Sequence, residues 1–322
     1  MTAIVGESLS IVRLRQLIDT VAPTRLPVLI EGPTGSGKEL VAARLHAASR
    51  RSGSLVAFNV CALGDSMFED ALFGHVRGAY TGAIGESLGF LREANGGSAF
   101  FDEIGGLPLA QQAKLLRAIE TGVFRPIGSS RDARSDFRPI AATNEPLASL
   151  IADGRFRADL AHRLSGIVLT VPPLADRIED IPILAAHFTR LSDASCKLTR
   201  RAECLLQQRA WPGNVRELRQ VIDTAVVLSR DQSTLDADAI ELALRHRSSS
   251  LLIAAPPGIP AREPSSRERD QLVALLQDAD WNTRRLARRL GIHRATVYRR
   301  AKRLGISMRI ECRVMGAPLP LL

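Results

Sequence analysis

No apolar run in this 322-residue chain approaches the ~18 residues a membrane span needs, and the N-terminus lacks the basic-then-apolar pattern of an export signal. The four cysteines, Cys61, Cys196, Cys204 and Cys312, show neither C-x-x-C nor Cys/His metal-ligand spacing. Reduced thiols, a cytoplasmic location and no membrane partner are the expectation. Lysine is scarce as well, supplying only four of the 43 basic residues, at 38, 114, 197 and 302. A lysine inside a glycine-rich motif is then hard to ascribe to chance.

What is present supports two or three domains, since 45% of the residues are hydrophobic and can build a core. The net charge of +9 is unevenly placed: residues 262–309 carry 13 Lys and Arg against 5 Asp and Glu, a net +8 that leaves +1 elsewhere. A compact basic C-terminal segment points to nucleic acid, with a solvated basic face as the plainer alternative.

The densest motif follows a short apolar run. Val28-Leu29-Ile30 reads as a buried parallel strand, and Gly32-Pro33-Thr34-Gly35-Ser36-Gly37-Lys38-Glu39 comes directly after it. The glycines allow the backbone to turn its N–H groups inward onto phosphate oxygens. A helix from Lys38 to Ser49 would aim its positive end at the same anion, and Lys38 would add a point charge at the β- and γ-phosphates. A bound nucleotide is the expectation; a glycine-rich turn with a solvated lysine is the alternative. Glu39 stands where Ser or Thr would normally ligate Mg²⁺, so the metal's protein ligand stays open at this motif.

Around the motif the pattern alternates helix and strand. Residues 7–22 read as a helix and 55–60 as a second buried strand, followed by a helix from Asp65 to Phe73. Gly78-Ala79-Tyr80-Thr81-Gly82-Ala83 reads as a mobile turn presenting Tyr80, with a tight turn whose tyrosine folds back as the alternative. Residues 98–103 form an apolar strand ending in Asp102 and Glu103. Phosphate chemistry needs one carboxylate to hold Mg²⁺ and one to orient or deprotonate water, roles that suit Asp102 and Glu103 respectively. A carboxylate pair approaching a helix N-terminus is the other reading. Residues 108–122 read as an amphipathic helix, 124–138 as two short strands around a polar turn, and 139–144 as a core strand.

Here the sequence resembles a known family. The segment GAYTGA at residues 78–83 is similar to the GAFTGA loop of bacterial enhancer-binding proteins, the sigma-54-dependent activators of the AAA+ ATPase class, whose phosphate loop also carries Glu after Lys. Tyr80 replaces the family's usual Phe, and Val76 replaces its usual Glu. The resemblance implies that residues 78–83 contact sigma-54, that Asn59 restrains the catalytic Glu103, and that Thr143 and Asn144 form the first sensor of the γ-phosphate. An Asn-initiated turn before Pro146 would also explain that polar pair. Arg157 and Arg163 match the family's arginine-finger positions, which implies a ring, hexameric in that family; either could equally be surface charge. In Trp211-Pro-Gly-Asn-Val-Arg216 the second sensor is matched, with Arg216 reaching from a helical lid to the nucleotide. Pro172-Pro-Leu-Ala175-Asp-Arg177 lacks one arginine of the family pattern.

The sequence therefore predicts an α/β fold, an AAA+ P-loop NTPase domain with a parallel sheet over residues 1–173. A small all-α lid of four helices over 174–247, a Ser/Pro-rich linker over 248–266, an all-α helix-turn-helix over 267–307 and a tail over 308–322 complete it. The last domain resembles the Fis type, exposing His293, Arg294, Thr296, Arg299 and Arg300, together with Tyr298 and Arg303, to a major groove and its phosphates. A basic three-helix protein-binding bundle is the alternative there. The expected activity is ATP-driven remodelling of sigma-54 RNA polymerase from upstream, enhancer-like DNA. A DNA-binding repressor that uses its AAA+ domain only to oligomerise, or an AAA+ motor with another target, are the competing classes. Because the chain begins almost at the ATPase domain, regulation by expression level or by a separate regulatory protein is expected.

Overall fold

The computed structural model describes residues 3–251 except 63, 194 and 230–232, together with 275, 276 and 286. Residues 1–252 form one compact unit and residues 253–322 a second. The helix-turn-helix positions from His293 to Arg303 lie outside the described residues; in the second unit Leu276 and Leu286 are buried.

Five parallel strands make the central sheet: β1 (Val28–Glu31), β2 (Leu55–Asn59), β3 (Ser98–Asp102), β6 (Arg138–Thr143) and β7 (Ile167–Thr170), in the order β2-β3-β6-β1-β7. A separate two-residue antiparallel pair, β4 (Val123–Phe124) and β5 (Ala133–Arg134), closes the hairpin expected over 124–138. Apolar residues alternate between two cores, as a sheet covered on both faces requires. Leu29, Phe101 and Ala141 enter one cluster, while Val28, Ile30, Phe100, Ile140 and Ala142 enter the other. The covering helices are α1 (Leu9–Val21), α2 (Lys38–Ala48), α3 (Asp65–Phe73), α4 (Phe90–Glu93), α5 (Leu109–Thr121), α6 (Leu147–Ala152) and α7 (Ala158–Leu164).

The lid is α8 (Ile181–Ser192), α9 (Arg200–Gln208), α10 (Asn214–Leu228) and α11 (Ala237–Leu251), with the short parallel pair β8 (Lys197–Leu198) and β9 (Thr234–Leu235). Its own core gathers Leu184, Phe188, Leu206, Trp211, Leu218 and Ile222, and the Trp211 indole N–H donates to the Leu206 carbonyl at 2.9 Å. Helix α11 runs to Leu251, four residues into the stretch whose composition suggested a linker.

Helix α1 starts at Leu9, two residues later than its periodicity suggested, because the buried Asp180 carboxylate captures the chain before it. Asp180 Oδ1 accepts the Glu7 and Ser8 amides at 2.7 and 2.8 Å, and Oδ2 accepts the Ser8 hydroxyl at 2.6 Å. Ile4 packs into the sheet core and Val5 against the lid core, so this strap spans both.

The other end of α1 has no basic residue in its last turn to meet the exposed carbonyls. Arg138 supplies the charge from β6: its guanidinium donates to the Ala22, Val21 and Leu26 carbonyls at 2.8, 3.0 and 3.0 Å. The side chain is 1% exposed, and burial, then Arg51, pulls its pKa below the usual guanidinium value. An Arg138→Met variant removes three donated hydrogen bonds, with only the Val21 carbonyl keeping other donors among the described residues, on Thr24, and should lose about 2–4 kcal/mol of stability by urea denaturation. A loss below about 1 kcal/mol would contradict this capping role.

Candidate functional site

Parallel strands end on one side, and the polar residues singled out in the sequence stand along that edge. Glu31 pairs with Thr143 on one flank and Thr170 on the other, and Asn59 pairs with Asp102. The loop 32–37 leaves β1 at this edge and enters α2. Gly35 and Gly37 hold φ values of 76° and 107°, a region side chains resist. A Cβ on Gly35 would lie 2.2 Å from the Gly213 carbonyl oxygen, so glycine is required there by the lid as much as by the turn.

Lys38 heads α2 with its ammonium tucked into the loop, donating to the Gly32 carbonyl at 2.8 Å and the Pro33 carbonyl at 3.4 Å. Burial lowers its pKa; the Asp102 and Glu103 carboxylates oppose that shift, and Arg216 adds to it. The Ser36 hydroxyl is buried with no hydrogen-bond partner among the described residues, while nothing within 4 Å blocks the space beside Gly37. Glu39 is exposed in the first turn, close enough to raise the Asp102 pKa.

Asp102 ends β3. Burial pushes its pKa up, with the Glu103 amide and Lys38 working the other way, and its Oδ1 accepts that amide at 3.0 Å. Glu103 takes the left-handed conformation at φ 56°, uncommon outside glycine, which swings its side chain away from the strand line. The Asn59 amide donates to Glu103 Oε2 at 3.4 Å and accepts the Cys61 N–H at 2.9 Å, while the Cys61 thiol reaches the Glu103 carbonyl at 3.6 Å. Lys38, Asp102, Glu103 and Asn59 are thus brought together.

At the end of β6 the buried Thr143 hydroxyl donates to the Glu145 carbonyl at 2.7 Å and Asn144 is exposed. The turn expected there exists, and Thr143 rather than Asn144 closes it.

Three lid residues tie down the phosphate loop, and sequence reasoning passed over two of them. Asn214, 4% exposed and at φ 53°, donates to the Thr34 carbonyl at 2.9 Å and accepts the Leu174 amide at 2.9 Å. Arg177 donates to the Ser36 carbonyl at 3.1 Å; it is buried, which lowers its pKa, and Asp180 opposes that shift. Asp180 was not singled out, and Arg177 figured only as part of a motif. Arg216 donates its backbone N–H to the Gly35 carbonyl at 3.2 Å and keeps its side chain exposed. Beside the loop an apolar cleft lined by Leu40, Val41, Val171, Leu184, Phe188 and Val215 suits a flat heterocycle.

Arg157 stands at the N-cap of α7, Arg163 lies in its last turn, and both are exposed; neither side chain is bonded to the phosphate loop of its own chain among the described residues. Arg157 grips Asp159 through two bonds of 3.1 and 2.7 Å, which raises the arginine's pKa and lowers the aspartate's. The loop 78–83 is a tight turn closed by the Gly78 N–H on the Ala83 carbonyl at 2.9 Å, with Thr81 exposed and Tyr80 47% exposed.

A phosphate loop, a carboxylate pair two strands over and a helical lid on the same sheet edge define an AAA+ P-loop NTPase. Known proteins narrow the class. A family model described as the sigma-54 interaction domain matches residues 4–170, an AAA+ ATPase lid domain 175–252, and a Fis-family bacterial regulatory protein domain 264–304. The chain belongs to the sigma-54 activator family of AAA+ proteins.

The chain is 41% identical over 327 residues to the nitric oxide reductase transcription regulator NorR2 of Cupriavidus necator. It is 42% identical over 320 residues to the anaerobic nitric oxide reductase transcription regulator NorR of Escherichia coli O139:H28. The alignments cover 94% and 95% of this chain, which spans 63% of the length of each of those relatives. The crystal structure of NtrX from Brucella abortus in complex with ATP superposes with a TM-score of 0.68 at 34% identity, covering 94% of this chain and 69% of that one.

The electrostatics carry a stability prediction. A carboxyl whose folded pKa lies above its unfolded value opposes folding once pH rises through the window between them. Asp102 is such a group, with its folded pKa raised above 3.8. An Asp102→Asn variant should therefore melt higher than the parent at pH 7 without nucleotide, and the gain should shrink as pH falls toward 4. An unchanged or lowered Tm at pH 7 would contradict the desolvation of this carboxylate.

Proposed function

We propose that this chain is an ATP-hydrolysing transcription activator that remodels sigma-54 RNA polymerase from an upstream DNA site. The observation that carries the reading is the Asn59–Glu103 hydrogen bond at the tips of β2 and β3, since the chain leaving Asn59 runs through α3 into the loop 78–83. One polar contact thereby links the carboxylate best placed to activate water with the segment best placed to touch a protein.

In this reading Gly32, Pro33, Thr34, Gly35, Ser36 and Gly37 wrap the phosphates of ATP with backbone N–H groups, and Lys38 leaves its loop carbonyls to neutralise the terminal phosphates. The orphaned Ser36 hydroxyl, the open space beside Gly37 and the partly desolvated Asp102 carboxylate fit a metal-bound triphosphate. Asp102 would hold Mg²⁺, with Glu39 adding negative charge nearby; the ion would supply charge neutralisation at the phosphates. Glu103 accepts the proton of the attacking water once Asn59 releases it. Thr143 and Asn144 read the γ-phosphate from β6, which requires Thr143 to give up its bond to Glu145. Arg216 does so from the lid.

Arg157 and Arg163 serve the site of a neighbouring copy, which makes a closed ring, a hexamer, the working form. Residues 78–83 present Tyr80 and Thr81 to sigma-54, and the Fis-type domain, with His293, Arg294, Thr296, Tyr298, Arg299, Arg300 and Arg303, meets the DNA. The boundaries at 173, 247, 266 and 307 divide these tasks.

Purified protein should open the strands of a sigma-54 promoter with its polymerase only when ATP is hydrolysed, and Thr81→Ala should abolish opening. Opening of a promoter lacking sigma-54 elements would overturn the assignment. Arg157→Ala and Arg163→Ala should each cut turnover by about 10³–10⁵ while ATP still binds. Near-normal turnover in both would remove the finger role.

A further inference from the structure

The tip of the 78–83 loop has two unobstructed glycine joints, and one side-chain hydrogen bond holds it to the helix beside it. Gly78 and Gly82 hold φ values of 80° and 105° with no atom within 4 Å of where a side chain would be, so both ends of the tip turn without steric obstruction. The base below is fixed: the His75 N–H donates to the Ser87 carbonyl at 3.1 Å, the Ser87 N–H returns the bond at 3.0 Å, and the Val76 N–H donates to the Ile127 carbonyl at 3.1 Å. Against that base Ala83 is buried, whereas Tyr80, Thr81 and Gly82 stand out from it.

Asp70, in the last turn of α3, uses both carboxylate oxygens at this point. Oδ1 bonds His75 Nδ1 at 2.5 Å, and Oδ2 accepts the Tyr80 hydroxyl at 3.3 Å. The Tyr80 ring meets the His75 ring edge-on, with centroids 5.2 Å apart at 63°. Among the described residues the Tyr80 hydroxyl makes the one side-chain hydrogen bond from residues 78–83 to the rest of the chain. Partial desolvation, then the Asp70 carboxylate, pushes the hydroxyl's pKa up from 10, so it remains a donor throughout the physiological range.

We infer that Asp70 is a positioning residue that latches the loop tip onto α3 through the Tyr80 hydroxyl, and that the loop must release this bond to engage its protein target. A phenylalanine at position 80 would supply the same aromatic face without the latch. The target would then select the unlatched fraction, and its apparent affinity would be reduced by the latched one. This rests on the proposed sigma-54 contact for its target, but the latch itself is a property of the isolated chain.

The test is hydrogen–deuterium exchange of the peptide spanning 76–88 in the full chain without any partner, comparing the parent with Asp70→Ala, Tyr80→Phe and the double variant. The amides of Gly78, Ala79 and Ala83 are hydrogen-bonded within the loop, so opening of the tip is readable there. Each single variant should accelerate their exchange about threefold to tenfold, and adding Tyr80→Phe to Asp70→Ala should add nothing, because the Tyr80–Asp70 bond is already gone; Asp70→Ala also frees His75, so Tyr80→Phe isolates the latch. Unchanged exchange in the isosteric Tyr80→Phe variant would overturn the latch, as would independent, additive effects. In a second arm, Asp70→Ala should bind purified sigma-54 more tightly than the parent by a similar factor; equal or weaker binding would overturn the claim that release precedes engagement. Accelerated exchange with no sigma-54 binding by parent or variant would leave the latch standing and remove the sigma-54 reading instead.

Discussion

In a sheet whose strands all run one way, every strand must end on the same side, and that constraint assembles this protein's chemistry. Asp102 with Glu103, Asn59 and the polar end of β6 come from separate stretches of the chain, yet each stands at or next to a C-terminal strand end, and Lys38 follows β1 through the loop that leaves the same edge. The order β2-β3-β6-β1-β7 then sets their spacing along that edge. The phosphate loop hangs from β1 near the middle, the carboxylates lie two strands over on β3, and Asn59 reaches Glu103 from the outer strand. A slip of one residue between β2 and β3 would turn Asn59 to the other face and sever that contact.

The second dependence is of the lid on the loop. Asn214 and Arg177 donate to the carbonyls of Thr34 and Ser36, and the Arg216 N–H to that of Gly35, so three successive loop peptides are held from the lid with their carbonyls turned outward. The Ser36 N–H closes a turn onto the Pro33 carbonyl at 3.2 Å, so the loop is held from within as well as from the lid. The loop's shape is therefore shared between its own glycines and the helix α10 that starts against it.

Much of this was legible before any coordinates. Periodicity located β1, β3, α3 and α5 to within a residue, because strands buried on both faces read as unbroken apolar runs and helices show their stripe. Glycine spacing and lysine scarcity located the phosphate loop. Asn214 and Asp180 were not legible, since their value lies in partners 40 to 180 positions away that no local pattern announces. The Glu103 backbone was equally hidden, because a left-handed carboxylate residue breaks the propensity rule that sequence reading relies on. Tyr80 fell between its two readings: the loop presents the ring, and the hydroxyl folds back.

The strap at residues 4–8 gives the molecule a mechanical property. Its carboxylate clamp lies across the joint between sheet and lid, with Ile4 seated on one side and Val5 on the other. Three short, parallel hydrogen bonds to one buried oxygen pair behave as a stiff spring of very short reach. Hydrogen bonds weaken within a fraction of an ångström of stretch, so turning the lid against the sheet would have to break this clamp. In the proposed ATP-driven role such a threshold would filter out thermal jostling of the lid.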